Sequence, residues 1–108
     1  MTTTFPDDRC TLLVVVGDID LATVATFVEC VEMALDRGGA LVVDLGGVPF
    51  CSGAGFRALH RVQHRADEAA VPVAWVVCTP ALRRLLRGTG AAGFACYRDR
   101  ADALTAAG

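Results

Sequence analysis

Cys51 and Ser52 stand side by side just ahead of an amphipathic stretch, in Cys51-Ser52-Gly53-Ala54-Gly55-Phe56. A thiol and a hydroxyl at a helix start lie where free backbone N–H groups and the positive dipole end favour anions. Three chemistries suit such a place. A nucleophile would need the Gly-x-Ser-x-Gly elbow, but Phe50 and Ala54 hold its glycine positions. The two histidines, His60 and His64, come one and two turns too far along the same stretch to act as base to Ser52. No catalytic residue is assigned. For phosphate cradling, Gly53-x-Gly55-x-x-Ala58 formally fits a dinucleotide fingerprint between strand and helix. The next strand, however, ends in Cys78-Thr79 rather than in an acid, and close helix–sheet packing explains the glycines as well. For thiol chemistry, Cys51 and Cys78 close two successive strands and are candidates for a redox pair, a thiol near a helix start being the more easily oxidised. The plain alternatives are an N-cap hydroxyl at Ser52 and buried, inert thiols.

His60 and His64 are four apart and could share a metal on one helix face. The intervening Arg61-Val62-Gln63 brings no carboxylate and a repelling cation, so a solvated face is expected and no metal site is assigned. Arg57, Arg61 and Arg65 form a basic stripe on the same stretch, either solvated or facing an acidic partner. Cys10, Cys30, Cys51, Cys78 and Cys96 are widely spaced, odd in number and lack a CxxC pair, which argues against a disulfide framework.

The elements that position these residues follow from apolar periodicity. Thr2–Phe5 reads as a short edge strand, and Thr11–Val16, apolar without alternation, as a strand covered on both faces. Gly17-Asp18-Ile19-Asp20 is a turn, with Asp20 placed to cap the next helix. Leu21, Val24, Phe27, Val28, Val31 and Leu35 recur at helical spacing, and Gly38-Gly39 ends that helix. Ala40–Leu45 is the central strand, delivering the chain to the Cys51–Gly55 loop. Phe56, Leu59, Val62, Ala66 and Ala69 line one face of a second helix, which Val71-Pro72 breaks. Val73–Val77 is a further buried strand. Thr79-Pro80 opens a third helix with Leu82, Leu85 and Leu86 inward, Arg83, Arg84 and Arg87 outward, and Gly88 as stop. Phe94–Tyr97 is a last strand, and Asp99 caps a terminal helix to about Ala106. Strands alternating with helices imply an α/β layered domain, a mixed sheet with mainly parallel core strands and about four helices.

The 108 residues, 54% hydrophobic and 20% charged, fit one domain spanning 1–108. A net charge of −2 gives no reason to expect nucleic acid, and no apolar run approaches a membrane span. Met1–Asp8 lacks the basic and apolar regions of a secretory signal, so a cytoplasmic location is expected, with no cofactor.

In order and residues the chain resembles the STAS domain, the fold of bacterial anti-sigma factor antagonists, over about Cys10 to Ala106. Gly17-Asp18-Ile19-Asp20 is similar to that family's Gly-Glu-Leu-Asp turn. Val43-Asp44-Leu45-Gly46-Gly47-Val48-Pro49-Phe50 is similar to its central strand and following turn. Val77-Cys78-Thr79-Pro80-Ala81-Leu82-Arg83-Arg84-Leu85 is similar to its strand exit into Ser-Pro and a short amphipathic helix.

The resemblance implies a non-enzymatic protein that binds an anti-sigma factor, often a serine kinase, and so frees a sigma factor. It implies a contact face of Asp18, Asp20, Cys51, Ser52, Gly53, Ala54, Gly55, Arg57 and Arg61. The family loop reads Phe-Met-Asp-Ser-[Ser/Thr]-Gly-Leu, with the first hydroxyl residue as phosphate acceptor. Here Ser52 occupies the Asp position, Gly53 the acceptor position and Ala54 the second hydroxyl position. The usual acceptor is absent. Ser52, displaced by one residue and hence by about 100° at a helix start, is the remaining candidate. An adaptor or regulatory subunit of a transport or signalling complex, and a small-ligand or nucleotide sensor, are the alternatives. The oligomeric state is left open between monomer and weak dimer.

Overall fold

The computed structural model describes residues 1–49, 51–88 and 94–107. Its elements run β1 (Thr2–Asp7), β2 (Cys10–Val16), α1 (Val24–Arg37), β3 (Ala40–Gly47), α2 (Gly53–Glu68), β4 (Val73–Val76), α3 (Pro80–Gly88), β5 (Ala95–Tyr97) and α4 (Arg100–Ala107). The five strands form one sheet in the order β1-β2-β3-β4-β5. β1 and β2 are an antiparallel hairpin, Thr3 opposite Leu13, with an irregularity between Thr4 and Asp7. The remaining pairs are parallel, Leu13 opposite Val43, Val43 opposite Trp75 and Trp75 opposite Cys96. This is the mixed, mainly parallel sheet with four helices that the sequence predicts.

Alternation along β3 explains the layers. Leu41, Val43 and Leu45 point to one face and Val42 and Asp44 to the other. The first face carries the larger core. Leu13, Val15, Val73, Trp75 and Val77 of the sheet pack there against Phe27, Val31 and Leu35 of α1, Leu59 and Val62 of α2, and Leu82 and Leu86 of α3. Burying each large side chain in this layer contributes roughly 1.5–3 kcal/mol. The opposite face is thinner: Cys10, Leu12, Val42, Ala74 and Val76 are covered by Ala103 and Leu104 of α4. β-strands lined with apolar residues on both sides are what two covered faces require.

Several local expectations are corrected. Leu21, placed inward by helical spacing, is 81% exposed. The helix starts later than the pattern suggests, at Val24 with Thr23 as N-cap, because the Asp20 carboxylate accepts from Ala22 N–H at 2.9 Å and holds a turn first. Asp20 therefore does not cap α1 with its side chain. Ala69, at the end of α2, is exposed. Arg83 is not fully outward: its Nη2 donates to the Val77 carbonyl at 3.2 Å. Leu82 and Leu86 are buried as expected, whereas the side chains at 85, 87 and 88 lie outside the described residues, as does Phe50. Asp99 does cap α4, its Oδ1 accepting from Asp102 N–H at 2.8 Å.

Two close approaches fix the chain path. Gly39, at φ +80°, ends α1, and a Cβ there would stand 2.5 Å from the Arg9 carbonyl oxygen. Gly55 is considered below. Among the described residues no helix is long and apolar enough to cross a membrane.

Candidate functional site

The chain leaves β3 through Gly46 and Gly47 and enters α2 at Gly53, so the loop lies at the end of the sheet where parallel strands release their loops. The Gly17–Asp20 turn meets it there. Gly17 N–H donates to the Gly47 carbonyl at 3.0 Å, Ser52 N–H to the Ile19 carbonyl at 2.9 Å, and Ile19 bridges Cys51. Ile19 itself is wholly buried and anchors the turn to the core. The turn is also closed internally: Asp20 N–H donates to Thr23 Oγ1 at 3.1 Å, and the Thr23 hydroxyl donates to the Asp18 carbonyl at 2.9 Å.

Ser52 is the N-cap of α2, in extended conformation, and its Oγ accepts from Gly55 N–H at 3.1 Å. Its hydroxyl oxygen thus satisfies one of the orphan donors of the first turn, the ordinary work of a serine at that place. The next residue, Gly53, is exposed, and a Cβ built on it would meet only Arg57 Nη1, at 3.8 Å. Gly55 is the reverse. It is buried, and a Cβ there would stand 2.5 Å from the Ile19 carbonyl oxygen and 2.9 Å from Cys51 Sγ. Its lack of a side chain lets α2 dock on the Gly17–Asp20 turn, which gives the Gly53-x-Gly55 pair a packing reason. Gly55 is therefore a support of the face rather than an accessible contact, and Ser52, Gly53 and Ala54 form the accessible part of the loop.

Cys51 is half-buried, and burial pushes its thiol pKa up, opposite to the lowering that a redox role at a helix start would call for. Cys78 is exposed rather than buried, and its Sγ donates to the Arg98 carbonyl at 3.1 Å. The two sulfurs keep separate partners, Cys51 the Ser52 carbonyl and Cys78 the Arg98 carbonyl.

Along α2, Arg57 and Arg61 are exposed, one turn apart, and carry no ion pair among the described residues. Arg65 is engaged elsewhere, tying α2 to Glu32 of α1 at 2.7 Å. His64 meets Glu68 at 3.0 Å on the exposed surface. His60, expected on a solvated face, instead lies edge-on between the Phe56 and Phe94 rings, at 4.8 and 5.1 Å. Among the described residues no group of three or more His, Cys, Asp or Glu is arranged to hold a metal ion.

Two buried polar groups escaped the sequence reading. Asp44, 6% exposed, ends the apolar run of β3, accepts from Gly46 N–H at 2.8 Å and pairs with Arg100 Nε at 2.8 Å. Gln63 accepts from Trp75 Nε1 at 2.7 Å and donates to Asp67 at 2.9 Å. An acid closing an otherwise apolar strand was the one visible signal for the first. Nothing along the chain marked the second.

Comparison with known proteins places this arrangement. No curated protein matches the sequence. An anti-sigma factor antagonist from Mycobacterium paratuberculosis is similar in structure, with a TM-score of 0.83 and 28% identity, over 98% of this chain and 92% of that one. The anti-sigma factor antagonist SpoIIAA in its unphosphorylated form has a TM-score of 0.78 at 9% identity, over 97% and 94% of the two chains. The Bacillus cell fate determinant SpoIIAA in its phosphorylated form has a TM-score of 0.77 at 10% identity, over 97% and 96%. At those last two identities the likeness is one of fold. A family model described as "Mlab, STAS domain" matches residues 3–96. That match covers most of the chain, which therefore belongs to the STAS domain family.

Proposed function

We propose that the protein is an anti-sigma factor antagonist that binds an anti-sigma factor of the serine-kinase type and thereby releases a sigma factor. The face is the Asp18–Asp20 turn, the Ser52–Ala54 part of the loop with the half-buried Cys51 beside it, and the Arg57–Arg61 side of α2. Binding is competitive, since an anti-sigma factor occupied on this face is withdrawn from the sigma factor. Such partners are cytoplasmic, and so is the proposed site of action.

The observation that carries the regulatory part of the reading is the contrast at the start of α2. Position 53, which the resemblance to the family loop makes the acceptor position, is an exposed glycine, while the neighbouring Ser52 hydroxyl is held by the helix as its cap. Phosphorylation acts by placing nearly two negative charges on a contact surface. With no hydroxyl at 53, the kinase has no direct way to reset this chain, which stays in its binding form.

Incubating the protein with its purified anti-sigma kinase and ATP tests this. The expected result is a stable complex without phosphate transfer, and transfer on Gly53→Ser. Transfer onto Ser52 of the unchanged chain would show that the switch survives one residue displaced. Failure to bind any anti-sigma factor would overturn the reading. It would favour an unphosphorylated STAS adaptor in a larger complex, for which the same glycine at position 53 is equally apt.

A further inference from the structure

Helix α1 serves two neighbours. Phe27, Val31 and Leu35 pack into the larger core, while Cys30, Met33, Ala34 and Arg37, at the spacing of a second helical stripe, line a cavity of about 320 Å³. Thr3 and Phe5 of β1 and Thr11 of β2 form its other wall. Thr3 stands opposite Leu13, which faces α1, so Thr3 faces the same side of the sheet. Every residue of β1 is exposed, and the groove between that edge strand and α1 lies open. Its floor, Thr11 and Ala34, is buried, whereas Phe5 is 57% and Met33 72% exposed. Two large apolar side chains thus share one concave wall instead of being scattered singly, and a flexible thioether adapts readily to what it covers.

One end of the groove is charged. The Arg37 guanidinium lies 4.1 Å from the centre of the Phe5 ring and donates to the Cys10 carbonyl at 3.1 Å, Thr11 Oγ1 at 2.8 Å and the Asp7 carbonyl at 3.4 Å. All three acceptors are neutral oxygens. The Asp7 carboxylate accepts instead from Arg9 N–H at 2.7 Å, and Arg37 meets no carboxylate among the described residues. The buried Thr11 hydroxyl accepts from Arg37 and has no acceptor for its own proton among the described residues. A cation balanced only by dipoles, beside a hydroxyl with a proton to give, suits an anion that presents two oxygens. Addition of a further strand is the other use of a bare edge, but Pro6 interrupts the run of N–H donors along β1, which disfavours pairing there.

We propose that this groove binds a free aliphatic carboxylate of medium length, its chain along Phe5, Cys30, Met33 and Ala34 and its head group hydrogen-bonded by Arg37 and Thr11. The volume corresponds to about ten water-sized groups, the size of octanoate. Burial of the methylenes supplies attraction, and the single charged end fixes the direction of the chain. The site adjoins the start of β2, roughly 20 Å along the strand from the Gly17–Asp20 turn that follows its end, so it goes beyond the antagonist reading and stands without it.

Titration of the protein with sodium octanoate, followed by amide chemical shifts, is the test. Saturable shifts are expected at Thr3, Phe5, Cys30, Met33 and Arg37 at about millimolar concentration. Octan-1-ol, the same chain without the charge, should bind at least about tenfold more weakly, and octylammonium should not saturate. Met33→Ser should weaken octanoate about threefold or more, whereas Leu21→Ser, at a residue 81% exposed just beyond the Gly17–Asp20 turn, should leave it within about twofold. Arg37→Met should bind octanoate no better than octan-1-ol, with a thermal melt to check that the hairpin is kept. The three probes act on the unchanged chain, so the charge assignment does not hang on that variant folding. Absence of saturable shifts, or shifts confined to other surfaces, would overturn the site. Octan-1-ol bound as tightly as octanoate would overturn carboxylate recognition. Neither result bears on binding to an anti-sigma factor.

Discussion

The central strand β3 is held at its exit by two corners built on opposite plans. At one, the Gly17–Asp20 turn and the Cys51–Gly55 loop meet through backbone hydrogen bonds and the bare face of Gly55. At the other, Asp44 is held by Arg100 from a helix 56 residues away in sequence. The first corner joins its two segments through backbone groups and engages one charge, Asp20, only within its own turn, which leaves Asp18, Arg57 and Arg61 available to an incoming surface. The second consumes its charges internally and fixes α4 over the thinner face of the sheet. Adjacent ends of one strand thus separate presenting from locking, and only the first has the accessible groups that recognition needs.

Gly55→Ala should break the presenting corner most severely. The added methyl meets the Ile19 carbonyl, a backbone atom that cannot rotate away, and overpacking of this kind costs about 2–3 kcal/mol. At about 4–8 °C per kcal/mol for a domain near this size, a thermal melt should fall by roughly 10–20 °C. Little or no fall would mean that the turn and helix are not clamped as described.

Arg100→Met probes the locking corner. It leaves a nearly buried carboxylate with the Gly46 N–H as its remaining bond. A loss of about 1–2 kcal/mol in urea unfolding is expected, moderated because Arg100 is itself half-exposed. Adding Asp44→Asn should recover part of it, since the uncompensated charge is then gone. A double variant as unstable as the single would contradict this account.

The thiols sharpen the contrast through pH. Burial raises the Cys51 thiol in the fold, and burial, with Asp7 adding and Arg37 opposing, raises Cys10, both from an ordinary value of 9.0. As pH rises through that value the unfolded chain loses these protons first. The contribution of these two thiols to stability is therefore fully present below about pH 8 and declines as pH rises above 9.0. Unfolding followed between pH 7 and 10.5 should show the decline, and Cys51→Ala should make it shallower. With a colorimetric thiol reagent at neutral pH, exposed Cys78 should react before Cys51 and Cys10.

The smallest effect is expected at Gly53→Ser, two residues from the most damaging change. Space is open there, so stability should move by less than about 0.5 kcal/mol while the chain becomes a kinase substrate. A large destabilisation would show that position 53 shares the packing of position 55.

What the sequence disclosed was local. The core strands β2, β3 and β4 were legible because their residues are largely apolar on both faces, and the Ser52 and Asp99 caps because a capping residue precedes its helix directly. Misreadings arose where a distant or competing bond decided the outcome. Leu21 matched the helical spacing, but Asp20 captured Ala22 N–H and postponed the helix. Gln63 sits among helical polar residues, yet its partner is the indole of Trp75, twelve residues on and across the fold. The glycines of the loop looked alike on paper. Only the approach of the Ile19 carbonyl separates the one that can change from the one that cannot.

The sheet order has a consequence for how the chain is made. Because each strand lies beside its predecessor, a ribosome releasing the chain from its N-terminus exposes one growing edge at a time. The hairpin of β1 and β2 assembles from local contacts, and β3, β4 and β5 each arrive with an intervening helix to dock on the edge just completed. No strand has to be threaded between two that are already joined. The Asp44 carboxylate emerges long before its cation, so the sequence of synthesis makes Arg100 the late latch that closes an otherwise finished sheet.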